Sequence, residues 1–247
     1  MFATLLICSS HASAAGKRRH FEPDDLELER PGTLDLDLQV GPVYGDSPSK
    51  DHLLLPDFEL ALGLAPNVEL DVHGAFTEDG VARRHVSGDA LWVASKLGLW
   101  DTRTDSGDTW AVGAVLGPRF PIIDEAGIGY GALALLGYGH RRRLALVLNA
   151  GSFIDPGTKL GDRRPLSVLF GLDLNAELDV RGVWSLQSEV GTAYYLSPDP
   201  HELFFALGGT YAVSARLDVS LTALGGVLPN TDHAALLLGV SPQFGLW

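Results

Sequence analysis

The feature that most constrains this chain is a two-residue alternation on either side of Ala65-Pro66-Asn67. In the segment PDFELALGLAPNVELDVHGAF, residues 56–76, acidic, polar or small residues occupy every second position, and the positions between them are mostly Leu, Val or Phe. A helix would scatter these two sets around its axis, whereas a strand places them on opposite faces. Because Ala65-Pro66-Asn67 suits a tight turn, the segment predicts an antiparallel hairpin.

The same alternation begins at Thr33 and continues through most of the chain. It predicts twelve strands, an even number, and no second domain. After the strand that begins at Thr33 and the two strands of the hairpin, the remaining nine are expected at 90–101, 109–119, 127–140, 144–153, 166–178, 183–196, 202–213, 216–228 and 233–247.

The predicted connections alternate in length. Those at 65–67, 141–143, 179–182 and 214–215 are short, whereas most of the others are long and rich in turn-forming residues, such as GDSPSKDH, TEDGVARRHVSGD and IDPGTKLGDRRP. Short turns at one end and longer loops at the other are typical of outer-membrane barrels.

Charge and hydropathy exclude other classes. The net charge of −13 argues against a nucleic-acid partner, which would require a basic face. After the N-terminal segment, no uncharged apolar run approaches the roughly 18 residues of a spanning helix, but spanning strands need only about 9–11 residues.

The N-terminus predicts export. The apolar run from Phe2 to Cys8, followed by Ala12-Ser13-Ala14, resembles a cleavable signal peptide, although no Lys or Arg precedes it. We therefore assign 1–14 to a signal peptide, 15–32 to a periplasmic lead-in and 33–247 to the barrel. A disordered or core N-terminus is the alternative. Cleavage would remove Cys8, the single cysteine, so no disulfide or thiolate chemistry is expected.

Alternation alone does not separate a membrane barrel from a soluble exported β-sandwich, because both segregate polar and apolar faces. The continuous meander, the loop asymmetry and the export signal favour the barrel. Its acids would then face a lumen, as a wetted rim without selectivity or as a cation-favouring vestibule. The candidate lumen-facing residues are Lys96, Glu189, Arg119, Asn149, Asp57, Glu59, Glu69 and Asp71.

The segment GDALWVASKLGLW, residues 88–100, resembles the "GD…K" strand of the outer-membrane family named for the MetA pathway of phenol degradation, and FELALGLAPNVELDV is similar to that family's hairpin. Shorter likenesses occur at 117–121, 148–151 and 187–190. The resemblance implies an outer-membrane transporter. It also implies that Lys96 and Glu189 are lumen-facing residues. We hypothesise that they pair across the interior; the alternative is that they are two independent, hydrated charges.

The C-terminus carries a second expectation from barrels of this class, which end on an aromatic residue that the outer-membrane assembly machinery reads. Trp247 supplies a terminal aromatic, but it lies on the opposite face of the predicted strand from Phe244. The expected partners are therefore outer-membrane lipid, the assembly machinery through the terminal strand, and a small-molecule solute.

No enzymatic, cofactor or metal site is predicted. His85-Val86-Ser87, Asp51-His52 and Asp232-His233 are the nearest approaches to catalytic pairs, and the histidines are scattered without ligand spacing. The sequence thus predicts an all-β, transmembrane antiparallel meander barrel of about twelve strands. The expected function is a passive channel for small, aromatic or apolar compounds. A structural outer-membrane protein without transport and the soluble sandwich are the alternatives.

Overall fold

The computed structural model describes residues 28–45, 51–79, 86–88, 90–104, 107–122, 127–140, 143–154, 156, 166–179, 182–195, 201–228 and 232–247. The predicted signal peptide and residues 15–27 of the predicted lead-in lie outside this part of the chain. Within the described ranges thirteen strands follow one another: β1 (Thr33–Tyr44), β2 (His52–Ala65), β3 (Val68–Asp79), β4 (Val86–Gly88), β5 (Leu91–Arg103), β6 (Thr109–Phe120), β7 (Gly129–His140), β8 (Leu144–Ile154), β9 (Leu166–Glu177), β10 (Trp184–Tyr195), β11 (Glu202–Ser214), β12 (Leu217–Gly226) and β13 (Ala234–Gly245).

The strands form a closed antiparallel meander. Except for β4 and β5, which both pair with β3, each strand pairs with the next along the chain, and β1 closes the sheet against β13, from Thr33 opposite Gly245 to Tyr44 opposite Ala234. β4 and β5 lie one after the other along the same side of β3, so the barrel wall has twelve strands. The predicted fold class is confirmed. Closure pairs the first strand of the wall with the last, as a lipid environment requires.

Strand bounds differ from the predicted ones by a few residues, and the main difference lies after the hairpin. The segment 77–89 was expected to be a loop, but β3 continues to Asp79, and β4 pairs with it through Thr77 opposite Ser87. Turn-forming residues marked the segment as a loop. Backbone pairing can nevertheless extend past the apolar part of a strand, because ladder hydrogen bonds form between any residues with free N–H and C=O groups.

Burial in the barrel is inverted relative to a soluble protein. On β1, Asp35, Asp37 and Gln39 are buried, whereas Val40 and Tyr44 are 39% and 50% exposed. The same parity continues through β10 and β13, where Glu189 and Leu237 are buried while Val190 and Leu238 are exposed. We call the buried set the inner face and the exposed set the outer face. A soluble sandwich would bury the apolar set instead, so this alternative is wrong.

Aromatic residues form two belts on the outer face. We call the end where β2–β3, β7–β8, β9–β10 and β11–β12 are joined by short connections the short-turn end. There the tilted rings of Trp110 and Tyr138 lie 4.8 Å apart between centroids, and those of Trp184 and Tyr211 lie 4.6 Å apart. The opposite, long-loop end carries Tyr44, Phe120, Tyr130, Phe170, Tyr194 and Phe205, all exposed. Such rings favour the two membrane–water interfaces. In the described part of the chain no helix is long and apolar enough to cross a membrane.

Candidate functional site: the barrel interior

The inner face has two chemically different halves. Toward the short-turn end it is polar and strongly acidic, whereas toward the long-loop end it is largely apolar. The buried polar set of the first half comprises Asp35, Asp37, Gln39, Glu59, Glu69, Asp71, Lys96, Asp173, Ser185, Gln187, Glu189, Thr210, Asp218, Ser220, Thr222 and Ser241. We call this set the acidic half.

Lys96 is the central cation of the acidic half. It lies on β5 directly opposite Glu69 of β3, and its Nζ is 3.7 Å from Glu69 Oε1. Both side chains are essentially buried, at 1% and 0% exposure. Glu69 also accepts a hydrogen bond from the backbone N–H of Glu29, so its two carboxylate oxygens face different partners.

Side-chain hydrogen bonds join other members of the acidic half. Asp37 accepts a 2.7 Å hydrogen bond from Ser241 Oγ across the seam between β1 and β13. It also accepts a 3.1 Å hydrogen bond from Gln39 Nε2 on its own strand. On β10, Gln187 Nε2 donates to Glu189 Oε1 at 3.1 Å. These bonds compensate part of the cost of burying carboxylates.

Six of the eight residues predicted to face a lumen belong to the buried set. Lys96, Glu189, Asn149, Glu59, Glu69 and Asp71 are buried, and Asp57 and Arg119 are half-buried. The guanidinium carbon of Arg119 lies 4.6 Å from the centroid of the Phe153 ring, a cation–π contact. Lys96 forms an ion pair with Glu69, and Glu189 accepts a hydrogen bond from Gln187. The proposed pairing of Lys96 with Glu189 therefore remains a hypothesis.

Two apolar clusters, which together we call the apolar collar, fill the inner face mostly toward the long-loop end. One contains Trp92 and Phe153, whose rings meet edge to face at 4.8 Å, and the other contains Leu237, which is fully buried. Trp92, expected from its parity to point inward, is 5% exposed and donates a hydrogen bond from Nε1 to the Gly117 carbonyl. The clusters comprise Trp92, Ala94, Val115, Leu133, Leu135, Val147, Phe153, Leu169 and Ala193, and Val43, Leu54, Ala206, Leu224, Ala235 and Leu237.

The end of the lead-in lies in the short-turn mouth. Glu29 bonds to Glu69 through its N–H, and its side chain accepts a 3.0 Å hydrogen bond from Gln243 Nε2. The Arg30 carbonyl lies so close to Gly63 that a Cβ there would overlap it. Gly63 is thus required for this approach, and residues 28–30 cover part of the mouth.

The interior is closely packed. Between β10, β11 and β12 the structure leaves a cavity of about 10 Å³, room for about one water molecule, lined by Gln187, Glu189, Ala206, Gly208 and Thr222. The acidic half thus combines ion pairs and hydrogen bonds with little free space beside Glu189.

The fold also assembles a group that sequence spacing did not reveal. Glu59, Asp71 and His73 each place a potential ligand atom within 4.8 Å of the others. A search for short-spaced histidines misses this set, because Glu59 lies across the hairpin from His73. The available signal was the register of the predicted hairpin, which brings residues 59 and 73 opposite each other.

Comparisons with known proteins place this fold among outer-membrane barrels. No known family model and no curated protein matches the sequence. Among solved structures, the NanC porin aligns with a TM-score of 0.63 at 12% identity, over 84% of this chain and 98% of that one. The COG4313 outer membrane channel from Pseudomonas putida F1 gives 0.59 at 13% identity, over 91% and 100%. The KdgM porin gives 0.52 at 9% identity, over 86% and 99%.

At these identities the likeness establishes the fold. A closed meander of twelve strands with an apolar outer face and two aromatic belts is built for the bacterial outer membrane. The chain is therefore an outer-membrane β-barrel with the fold of porins and channels.

Proposed function

We propose that this protein is a passive outer-membrane channel for small compounds with an aromatic or apolar body. The observation that carries the proposal is the two-part inner face, with acidic groups at the short-turn end and an apolar collar containing Trp92, Phe153 and Leu237 toward the other end. The sequence resemblance to the family named for the MetA pathway of phenol degradation points to the same class of solute.

The two halves would act differently on a solute. Carboxylates concentrated on the wall of a narrow, low-dielectric passage favour cations and disfavour anions. The collar offers apolar surface and ring faces, which attract aromatic groups and lower the cost of removing them from water. A small molecule that combines an aromatic ring with a positive charge is favoured by both halves.

Conduction requires side chains of the collar to move, because the described interior is closely packed. The bulky residues Leu135 and Leu237 are 1% and 0% exposed, so their part of the wall has no space beside it that water can enter. The same packing favours a second candidate function, a structural outer-membrane protein without transport, because a filled barrel conducts nothing until it opens.

Planar-bilayer recordings with the purified barrel separate the two. We expect Leu237→Ala to raise single-channel conductance, because it removes bulk from the collar. Its matched control is Leu238→Ala, which makes the same change one residue away on the lipid-facing side, where Leu238 is 61% exposed. Absence of conductance in the wild type and in Leu237→Ala would refute the channel and leave the structural function.

The solute class needs a second measurement in the same bilayers. Reversal potentials compare the permeability of phenyltrimethylammonium with that of tetramethylammonium, which has the same charge but no ring. We expect the aromatic cation to be favoured in the wild type, and this preference to fall when Trp92 or Phe153 is replaced by Leu. Equal permeability of the two cations would remove the aromatic part of the proposal.

Insertion into the membrane completes the proposed function. We propose that β13 carries the signal read by the outer-membrane assembly machinery, with Phe244 as its aromatic residue. Phe244 is 45% exposed and lies opposite Leu34 at the seam, whereas Leu246 and Trp247 follow the end of the strand at Gly245.

A further inference from the structure

We propose that Glu59, Asp71 and His73 bind a divalent transition-metal ion of the zinc class on the inner face of the barrel. The proposal stands apart from transport, because it concerns a binding site on the β2–β3 hairpin and needs no open path. It rests on the position, burial and donor chemistry of three side chains from two adjacent strands.

The register of the hairpin brings the three groups to one place. Glu59 lies directly opposite His73, and Asp71 lies opposite Ala61, one inner-face position toward the short turn. One donor atom of each residue lies within 4.8 Å of the other two. Donors on a zinc ion lie about 3.4 Å apart at tetrahedral angles, given bond lengths of about 2.1 Å. Side-chain rotations that move each donor by about 1 Å would close the group.

The donor chemistry selects the kind of ion. Two carboxylates and one imidazole combine the oxygen ligands preferred by hard cations with the nitrogen ligand preferred by zinc and its neighbours. His73 therefore favours a transition metal over Ca²⁺ or Mg²⁺. Three protein ligands leave a fourth position for water or a solute, so the bound ion would be exchangeable.

Burial and charge favour a cation at this place. Glu59 is 4% exposed and Asp71 is fully buried, and Asp57 and Glu69 extend the same negative surface along the hairpin. Lys96 on β5 forms its ion pair with Glu69, which lies nearer to the short-turn end than Glu59 and Asp71 do. Two neighbouring buried carboxylates repel each other strongly at low dielectric, and a divalent ion shared between them converts that repulsion into attraction.

The structure also provides an internal reporter. The Trp92 ring lies 5.3 Å from the imidazole of His73, so a paramagnetic ion bound to His73 would quench its emission. The chain has five tryptophans, and the other four are exposed to solvent or lipid. They can be replaced by Phe without altering the inner face: Trp100, Trp110, Trp184 and Trp247.

Binding is measured on the folded barrel in detergent after treatment with a chelator, by calorimetric titration with Zn²⁺. We expect one ion per chain, and a loss of affinity of at least about tenfold in His73→Gln and in Glu59→Gln. Two controls should stay within about twofold of the wild type. Asp218→Asn removes a buried acid from another part of the wall, and His233→Gln removes an exposed histidine.

Equal weakening in His73→Gln and Asp218→Asn would mean diffuse attraction by the acidic half and would overturn the site, as would the absence of saturable binding. If the variants fail to fold, the site is tested in a protein that keeps Glu59, Asp71 and His73 and has Trp92 as its single tryptophan. Saturable quenching of Trp92 by Cu²⁺, reversed by a chelator, supports the site; unchanged Trp92 emission at saturating Cu²⁺ overturns it. Conductance enters neither measurement, so failure here leaves the channel proposal intact.

Discussion

Replacing Lys96 with Met tests whether the buried ion pair of the acidic half stabilises the barrel. Met keeps the length and most of the apolar stem of Lys96 but removes the ammonium group that lies 3.7 Å from Glu69 Oε1. At that distance the attraction between two unit charges is about 4.5 kcal/mol for an effective dielectric constant of 20. Glu69 would keep its hydrogen bond from Glu29, which limits the loss.

We therefore expect Lys96→Met to lower the free energy of unfolding by about 3 kcal/mol, at the lower end of what breaking a buried pair costs. The reason is that Glu69, fully buried, would be left beside Asp71 with less compensating charge. Equilibrium urea unfolding in lipid vesicles, followed by tryptophan emission and by heat-modifiable gel mobility, measures the change.

Three further variants make the experiment decisive: Glu69→Gln alone, the double variant, and Arg103→Met. Glu69→Gln in the Lys96→Met background removes the stranded carboxylate and should recover much of the lost stability, giving a coupling energy above about 1 kcal/mol in the double-mutant cycle. Arg103→Met removes an exposed cation from the end of the same strand and should change stability by less than about 0.5 kcal/mol. A Lys96→Met barrel as stable as Arg103→Met would refute the reasoning.

Three other predictions concern the packing of the wall, the cover of the mouth and the C-terminal strand. A Cβ at Gly191 would overlap the Phe204 ring, so Gly191→Ala should destabilise the barrel by about 1–3 kcal/mol in urea unfolding, whereas Gly209→Ala, where the nearest atom is 3.9 Å away, should not. Gly63→Ala should displace residues 28–30 from the mouth and raise conductance; unchanged conductance and unchanged protease sensitivity of the N-terminal segment would contradict this. Phe244→Ala should reduce outer-membrane assembly in cells more than removal of Trp247, as measured by the heat-modifiable fraction, and the opposite order would assign the signal to the terminal residue.

Much of the fold follows from local sequence. A two-residue period can be satisfied only by strands, and the short connection at Ala65-Pro66-Asn67 can join only antiparallel neighbours. Parity also sorts the faces, since Asp35 and Asp37 must oppose Leu36 and Leu38 along β1. Trp92 and Lys96 share one parity on β5, and both are buried.

Periodicity alone does not decide which of the two strand faces points into the barrel. Alternation is the same whether apolar side chains fill a core or meet lipid, so the soluble sandwich could be dismissed only once Asp37 was found buried and Val40 exposed. Closure decides this, because a sheet that pairs β1 with β13 has a single interior, and only one set of side chains can occupy it.

Contacts inside the barrel depend on which strands meet and in what register. The sequence pattern marks Lys96 as an inward cation, but the register of β3 with β5 decides that Glu69 is its neighbour. The pattern likewise treats His73 as one more polar position, and the pairing of β2 with β3 brings it beside Glu59. Placement of Glu29 in the mouth is also tertiary, because it depends on the small size of Gly63 on another strand.

By itself, then, the sequence determined the strands, their number, their alternating faces and the chemistry available on each, because side-chain parity and turn residues act over a few positions. Only the tertiary structure decided the closure, the separation of the interior into an acidic half and an apolar collar, and the partners of Lys96 and His73. These features arise between residues far apart in the chain, and their distances are set by strand register, which no local pattern contains.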